Sequence, residues 1–254
     1  MATDIRRELY DGLGEASSIG LSFTRKAFQM LPKLDSPRII DIGCGQGRAT
    51  LELARLSDGQ VVGLDIDQAA LEVLSRKIEE EGLTEHVQAV RGSMFALDFP
   101  DESFDLVWSE GALNIIGFEK GLREWRRLVR PNGFLVAHEG AWLRPDPPQA
   151  IVHRWQTVFP EISSIPEYIE QLPRHGYRPI GHFALPDDFW WLNYYALIEE
   201  RIQKLRQTYA GDQACQNVLD QEQHEVDLYR EHRQWYGSAF LVMQKSEAPG
   251  GTGG

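Results

Sequence analysis

Apolar residues in this chain come in short runs separated by longer stretches of helical spacing. The runs 38–41, 60–65, 87–91, 104–108 and 134–138 are rich in Val, Ile, Leu and Phe and are bounded by Gly, Pro, Asp or Asn. That pattern predicts buried strands. Between them, 47–56 and 68–80 repeat apolar positions at helical spacing. In the second, Ala69, Leu71, Leu74 and Ile78 fall on one side. Asp58-Gly59 and Gly82 stop these helices. A further helix is predicted over 118–129, and Pro131-Asn132-Gly133 is the turn before the fifth strand. Regular alternation of strand and helix predicts a parallel sheet with helices on both faces.

The two ends read differently. Residues 1–36 form a predicted helical cap, in which Phe23, Ala27, Phe28, Met30 and Leu31 recur at helical spacing and Pro32 marks the stop. Ser164-Ile165-Pro166-Glu167 is a capping box with Pro in the first turn, and its helix ends near His175-Gly176. Tyr177 to Leu185 and Tyr236 to Lys245 predict a sixth and a seventh strand. Residues 188–234 between them have helical composition and no visible linker, so they read as a helical insertion before the last strand. The expected divisions are a cap over 1–36, a main domain over 37–245 and a flexible tail over 246–254.

Composition narrows the function classes. With 254 residues, 42% of them hydrophobic, the chain can bury a sizeable core. A net charge of −12 argues against wrapping a nucleic-acid backbone or docking on an anionic membrane. Two cysteines, Cys44 and Cys215, indicate no disulfide framework. No apolar signal core follows Met1, and no run approaches the ~18 residues of a membrane span. A cytoplasmic protein with no metal, no nucleic acid and no membrane partner is expected, with room for a homodimer.

The candidate chemistry starts at Ile39-Ile40-Asp41-Ile42-Gly43-Cys44-Gly45-Gln46-Gly47 and continues at Val61-Val62-Gly63-Leu64-Asp65. An apolar run feeds a glycine loop, a helix follows, and a second apolar run ends in a carboxylate. That order suits a nucleoside with its ribose on Asp65. A dinucleotide loop would read G-x-G-x-x-G, but here the third glycine falls one place early and Arg48 takes its position. Asp41, against the loop, is a poor neighbour for a pyrophosphate and a good one for an ammonium group. S-adenosylmethionine has that combination: ribose, adenine, ammonium and sulfonium, without phosphate.

On these residues the chain resembles the class I S-adenosylmethionine-dependent methyltransferases. Asp41 to Gly47 matches the family's first motif, Leu64-Asp65-Ile66-Asp67 its acidic strand end, and Phe104 to Trp108 its fourth-strand motif. Leu128-Val129-Arg130-Pro131-Asn132-Gly133 resembles the turn of the small-molecule branch. Glu110 to Phe118 and the late helical insertion resemble an uncharacterised bacterial branch. The resemblance implies a Rossmann-like, seven-stranded, mostly parallel sheet and methyl transfer from S-adenosyl-L-methionine to a small-molecule acceptor. Where the family often has an Asp for the adenine amino group, this chain has Ser93, within Gly92-Ser93-Met94.

Roles follow as expectations. Gly43, Gly45 and Gly47 let the backbone approach the cofactor, Asp65 takes both ribose hydroxyls, and Ile66 packs on the adenine. Asp67 caps the next helix. Ser93, Met94 and Ser109 complete the cofactor pocket. Methyl transfer needs alignment and exclusion of water, and a base only if the acceptor must lose a proton. Glu110 and Asn114 follow strand four, and His138, Glu139 and Trp142 follow strand five, all facing the crevice. His138 titrates nearest neutrality and is the first candidate base, with Glu110 the second. Asn114, Trp142, Tyr10, Trp190 and Tyr194 are candidate acceptor contacts, and Tyr10 with the stretch 18–24 is expected to close over the cofactor. Asp146-Pro147-Pro148-Gln149 resembles a base-methylating motif but lies after the wrong strand and lacks its aromatic. The alternatives are an RNA or protein methyltransferase, which the acidic charge disfavours, and a nucleoside-binding protein that transfers nothing.

Overall fold

The computed structural model describes residues 2–11 and 18–246. Two helices, α1 (Ala2–Tyr10) and α2 (Ser18–Gln29), precede β1 (Arg38–Ile42), α3 (Arg48–Leu56), β2 (Gln60–Asp65), α4 (Gln68–Glu80), β3 (Val87–Arg91) and β4 (Phe104–Glu110). Then come α5 (Leu113–Ile116), α6 (Phe118–Trp125), β5 (Val129–Trp142), α7 (Gln149–Val158), β6 (Ser163–Ser164), α8 (Ile165–Gln171) and β7 (Tyr177–Ala184). A π-helical turn at Trp191–Tyr195 leads into α9 (Ala196–Thr208), α10 (Gln213–His232) and β8 (Tyr236–Lys245). The expected tail lies, from residue 247 on, outside the described residues.

The sheet runs β3-β2-β1-β4-β5-β8-β7, with β6 pairing off the path on β5. Pairing is parallel from β3 through β5, and β8 runs antiparallel to both β5 and β7. Strands therefore number eight rather than the expected seven. The extra one, β6, is two residues long and pairs only through Ala141 and Trp142, too short to leave an apolar run in the sequence. The fifth strand is also longer than 134–138. Pro131 to Gly133 does not precede it but bulges out of it, since Phe104 pairs with Val129 while Leu106 pairs with Phe134. Asn132, at φ 61, carries the left-handed turn of that bulge.

Side chains alternate across the sheet, and two apolar layers form accordingly. Ile39, Leu106, Phe134, Val136 and Phe240 pack on one face under α2, α3 and α4. Ile40, Ile42, Val107, Leu135 and Leu241 pack on the other with α6 and α8. A third core lies beyond the carboxyl end of β5. There Ile5 and Leu9 of α1, Trp155 of α7, Ile202 of α9, and Val226 and Tyr229 of α10 meet Trp142 and Tyr236. The first helix and the late helical segment thus share one apolar cluster. That cluster roofs the end of the sheet where α/β proteins bind ligands. Among the described residues no helix is long and apolar enough to cross a membrane.

Candidate active site

The glycine loop leaves β1 and is tied down by β2. The backbone N–H groups of Gly43 and Cys44 donate to the Leu64 carbonyl at 2.8 and 3.1 Å. Gly45 N donates to Asp65 Oδ2 at 2.7 Å, and Asp67 N to Asp65 Oδ1 at 2.9 Å. Each Asp65 oxygen keeps a lone pair for a further donor. Gly45 sits at φ +52, and a Cβ built there would meet nothing within 4 Å, so the loop presents bare backbone to open space. At Gly47, φ +79, a Cβ would lie 2.1 Å from Leu74 Cδ1 of the core, so close packing of α3 on α4 requires glycine. Ile66 is 67% exposed beside Asp65, an apolar face without protein cover. Asp67 caps α4, accepting from Ala69 N and Ala70 N. Met94 reaches the loop from the side: its Cε lies 3.7 Å from the built Gly43 Cβ. Ser93 lies in the short bridge after β3, where its hydroxyl accepts from Phe95 N at 3.3 Å.

Under the loop lies Asp41, 1% exposed, accepting from Thr50 Oγ1 at 2.7 Å. Burial pushes its carboxyl up to about 7, with the negative charges of Glu110 and Asp65 adding and the Thr50 bond opposing. Ser109, fully buried, donates to the Ile42 carbonyl at 3.0 Å and pins β4 to β1 instead of facing the crevice. Glu110 ends β4. Its Oε1 accepts from Thr24 Oγ1 of α2 at 2.8 Å and from Trp108 Nε1 at 2.9 Å. Burial raises its pKa, while these two bonds and the Arg48 charge lower it.

Two adjoining cavities open beyond β4 and β5. The lobe next to the loop, about 360 Å³, is lined by Arg48, Glu110 and His138 with Phe23, Phe189 and Trp190 among its walls. The second, about 320 Å³, carries Asn114, Glu139 and Glu225 among aromatic rings. Gly111, His138, Trp190 and Tyr194 line both, so they form the partition. His138 Nε2 lies 2.8 Å from Ser238 Oγ, and that hydroxyl oxygen accepts from Trp190 Nε1 at 3.0 Å. The imidazole stacks on Phe240 at 4.7 Å between centroids. Burial, with Arg48 second, lowers its pKa to about 4, so it is neutral near pH 7.

The expected acceptor contacts are not all brought together. Glu110, His138, Asn114, Trp190 and Tyr194 line the two lobes. Trp142 lines neither. It sits four residues beyond His138 on a strand that keeps running, roughly 13 Å further along, and packs edge-on against Tyr236. Tyr10 also lines neither lobe. Its hydroxyl bonds Glu222 of α10, and its ring lies behind Tyr194. Of the stretch expected to close over the cofactor, Gly20 and Phe23 border the first lobe and Thr24 holds Glu110. Sequence reasoning gave no role to Arg48, Ser238, Trp155 or Tyr236. The signal for Arg48 was its break with the dinucleotide pattern. The other three come from distant segments that carry no local motif.

The buried acids predict an unusual stability profile. Glu139, 4% exposed, is pushed up to about 8 by burial, against the backbone bonds from Asn114 and Leu113. Asp41 and Glu139 therefore hold a proton more tightly folded than unfolded. Their contribution is fully present below about pH 4 and is lost as pH rises through about 7 and about 8. His138 works the other way, costing stability as pH falls from 6.5 towards about 4. Two carboxyls outweigh one imidazole. The ligand-free protein should lose roughly 2–4 kcal/mol between mildly acid and mildly alkaline pH, most steeply between about pH 6.5 and 8. Melting temperature measured across that range should fall in the parent and flatten in an Asp41→Asn, Glu139→Gln variant. A parent that becomes more stable with rising pH contradicts this reading.

Comparison with known proteins agrees with the geometry. Residues 39–133 match the family model of a methyltransferase domain. A demethylmenaquinone methyltransferase of Bacteroides fragilis is 33% identical over 134 residues, 51% of this chain and 55% of that protein. A sterol 24-C-methyltransferase of Aspergillus fumigatus is 33% identical over 110 residues, 43% of this chain and 29% of that one. The chain thus spans about half or less of the length of these curated relatives. Among solved structures, a methyltransferase from Geobacter sulfurreducens, in complex with S-adenosyl-L-homocysteine, has a TM-score of 0.73 at 19% identity, covering 94% of this chain and 97% of that one. The [4+2]-cyclase SpnF has a TM-score of 0.73 at 21% identity, covering 97% of this chain and 93% of its own. At these identities the structures speak for the fold. Family model and fold agree: residues 39–133 match a methyltransferase domain, and the chain has the fold of solved methyltransferase structures.

Proposed function

We propose that this chain, built on a class I methyltransferase domain, moves a methyl group from S-adenosyl-L-methionine to a small molecule held in the two lobes. The observation that carries the reading is the bond from Gly45 N to Asp65 Oδ2. It locks a bare-backbone loop against a ribose-competent carboxylate, and Arg48, the residue after the loop, lines the first lobe. The residues present fit the cofactor. Asp65 would accept from the ribose hydroxyls, Ile66 would cover the adenine, Met94 and Ser93 would flank it, and the loop would pass the methionine portion over Asp41. When bound, the cofactor supplies an activated methyl group, so the protein's own work is alignment and exclusion of water.

His138 is the proposed base for an acceptor that must lose a proton. It stands in the partition between the lobes. With Nε2–H donating to Ser238 Oγ, the Nδ1 lone pair is left to accept the proton. Glu110, already receiving two hydrogen bonds, would hold α2 over the cofactor and stand as the second candidate. The net charge of −12 supports a small molecule over nucleic acid, and we propose a cytoplasmic protein.

The likeness to a cyclase keeps a second reading in play, a nucleoside-binding fold that transfers nothing. Incubating the purified protein with methyl-labelled cofactor and a metabolite extract separates the readings. Label should appear in a small product identified by mass. Label in RNA or protein fractions would overturn the small-molecule reading. Cofactor that binds while no label moves would favour the second one.

A further inference from the structure

The lobe away from the glycine loop is built from aromatic rings and hydrogen-bond acceptors. At about 320 Å³ it lies at the small end of the ligand-pocket range of roughly 300–1,000 Å³. Trp155, Phe159, Trp190, Tyr194, Tyr195 and Tyr236 wall it. These rings hold one another in place: Trp155 stacks on Tyr236 at 3.8 Å, and Tyr194 meets Tyr195 edge-on at 5.0 Å. Among the described residues no Lys or Arg lines it.

The two carboxyls of the lobe differ. Glu225 already pairs with Arg154, which reaches it from outside the cavity. Among the described residues Glu139 has no cation beside it. The backbone N–H groups of Asn114 and Leu113 favour its ionised form, yet Oε1 is buried without a partner. Asn114 Oδ1, lining the same lobe, is buried and unpartnered as well. Buried acceptors left unpaired are costly, and a low-dielectric wall makes an uncompensated carboxylate more so.

We infer that this lobe recognises the acceptor by an amine nitrogen, binding a small organic ammonium ion between Glu139, Asn114 and the aromatic rings. An ammonium brings the N–H donors that both unpaired oxygens need and the charge that ring faces attract. An anion would find no cation among the lobe's lining residues. A purely apolar molecule would leave both oxygens unpaired. The buried Glu139 carboxyl, pushed up to about 8, holds its proton while the lobe is empty and ionises when a positive charge arrives. The inference rests on the reading that the lobes hold the methyl acceptor.

Three isosteric probes test it: benzylamine, benzyl alcohol and benzoate, titrated calorimetrically near pH 7 into the protein alone and into protein saturated with S-adenosylhomocysteine. Benzylamine should bind about tenfold or more tighter than benzyl alcohol, with benzoate weaker still. Glu139→Gln should bring the amine within about twofold of the alcohol while S-adenosylhomocysteine still binds, the latter reporting that the variant is folded. Alcohol or benzoate binding as well as the amine to the parent overturns the inference, and so does no amine binding at millimolar concentration. These parent measurements stand whatever the variant does. A water-sized void of about 10 Å³ also borders Glu139, Asn114 and Tyr168. If Glu139 serves only a water there, Glu139→Gln leaves the discrimination intact, and the inference fails. Absence of S-adenosylhomocysteine binding would instead sink the methyltransferase reading, and the amine preference would still be read on the protein alone.

Discussion

Asp65→Ala should weaken S-adenosylhomocysteine binding about 100-fold. Two effects combine in that figure. The ribose hydroxyls lose a charged acceptor, worth roughly 1.5–3 kcal/mol per bond. The loop also loses its anchor, since Gly45 N and Asp67 N both donate to this carboxylate. Asp65→Asn, which keeps an acceptor oxygen but not the charge, should lose about tenfold. The fold should survive both changes, because Asp65 lies at the end of β2 outside the two apolar layers. Calorimetry on the two variants checks the ordering. An Asp65→Ala protein that binds as the parent does would remove the ribose from this carboxylate.

His138→Ala should lower turnover on the true acceptor about 10²–10⁴-fold, the range for loss of a positioned base. Cofactor affinity should stay nearly constant, since His138 lies in the partition and not along the Gly43–Gly47 loop. Because its pKa is lowered to about 4, the parent's rate should show no inflection from this residue near pH 6.5. Ser238→Ala should give a smaller loss, as it frees the ring without removing it. If instead His138→Ala lowers stability while turnover per folded molecule is kept, His138 is structural and Glu110 becomes the better candidate.

The two halves of the site were unequally legible in the sequence. The cofactor half is written locally. A strand, a glycine loop, a helix and a second strand ending in a carboxylate fall within 38–65, and the parallel register that sets Asp41 beside Gly63 brings loop and Asp65 together. The half proposed to hold the acceptor is assembled over long range. α1, α7, α9 and α10 share one apolar core although about 140 residues separate α1 from α7, and no spacing announces it. Trp142 shows how this misleads. It was placed with His138 by proximity to a strand end, but β5 does not end at 138. Its antiparallel pairing with β8 continues to Trp142 and Tyr236. Tyr10 was expected to close over the cofactor and touch the acceptor, but its hydroxyl is spent on Glu222 and it lines neither lobe. Ser109 was expected in the cofactor pocket, while its hydroxyl donates to the Ile42 carbonyl.

One titration tests the cofactor assignment most directly: S-adenosylhomocysteine and NAD into the same protein under the same conditions. Asp41 is buried beneath the loop, and Arg48 stands where a dinucleotide loop needs glycine. S-adenosylhomocysteine should therefore bind at micromolar concentration, and NAD, whose pyrophosphate would face that carboxylate, far more weakly. NAD binding as tightly or more tightly would contradict the assignment and return the glycine loop to a dinucleotide.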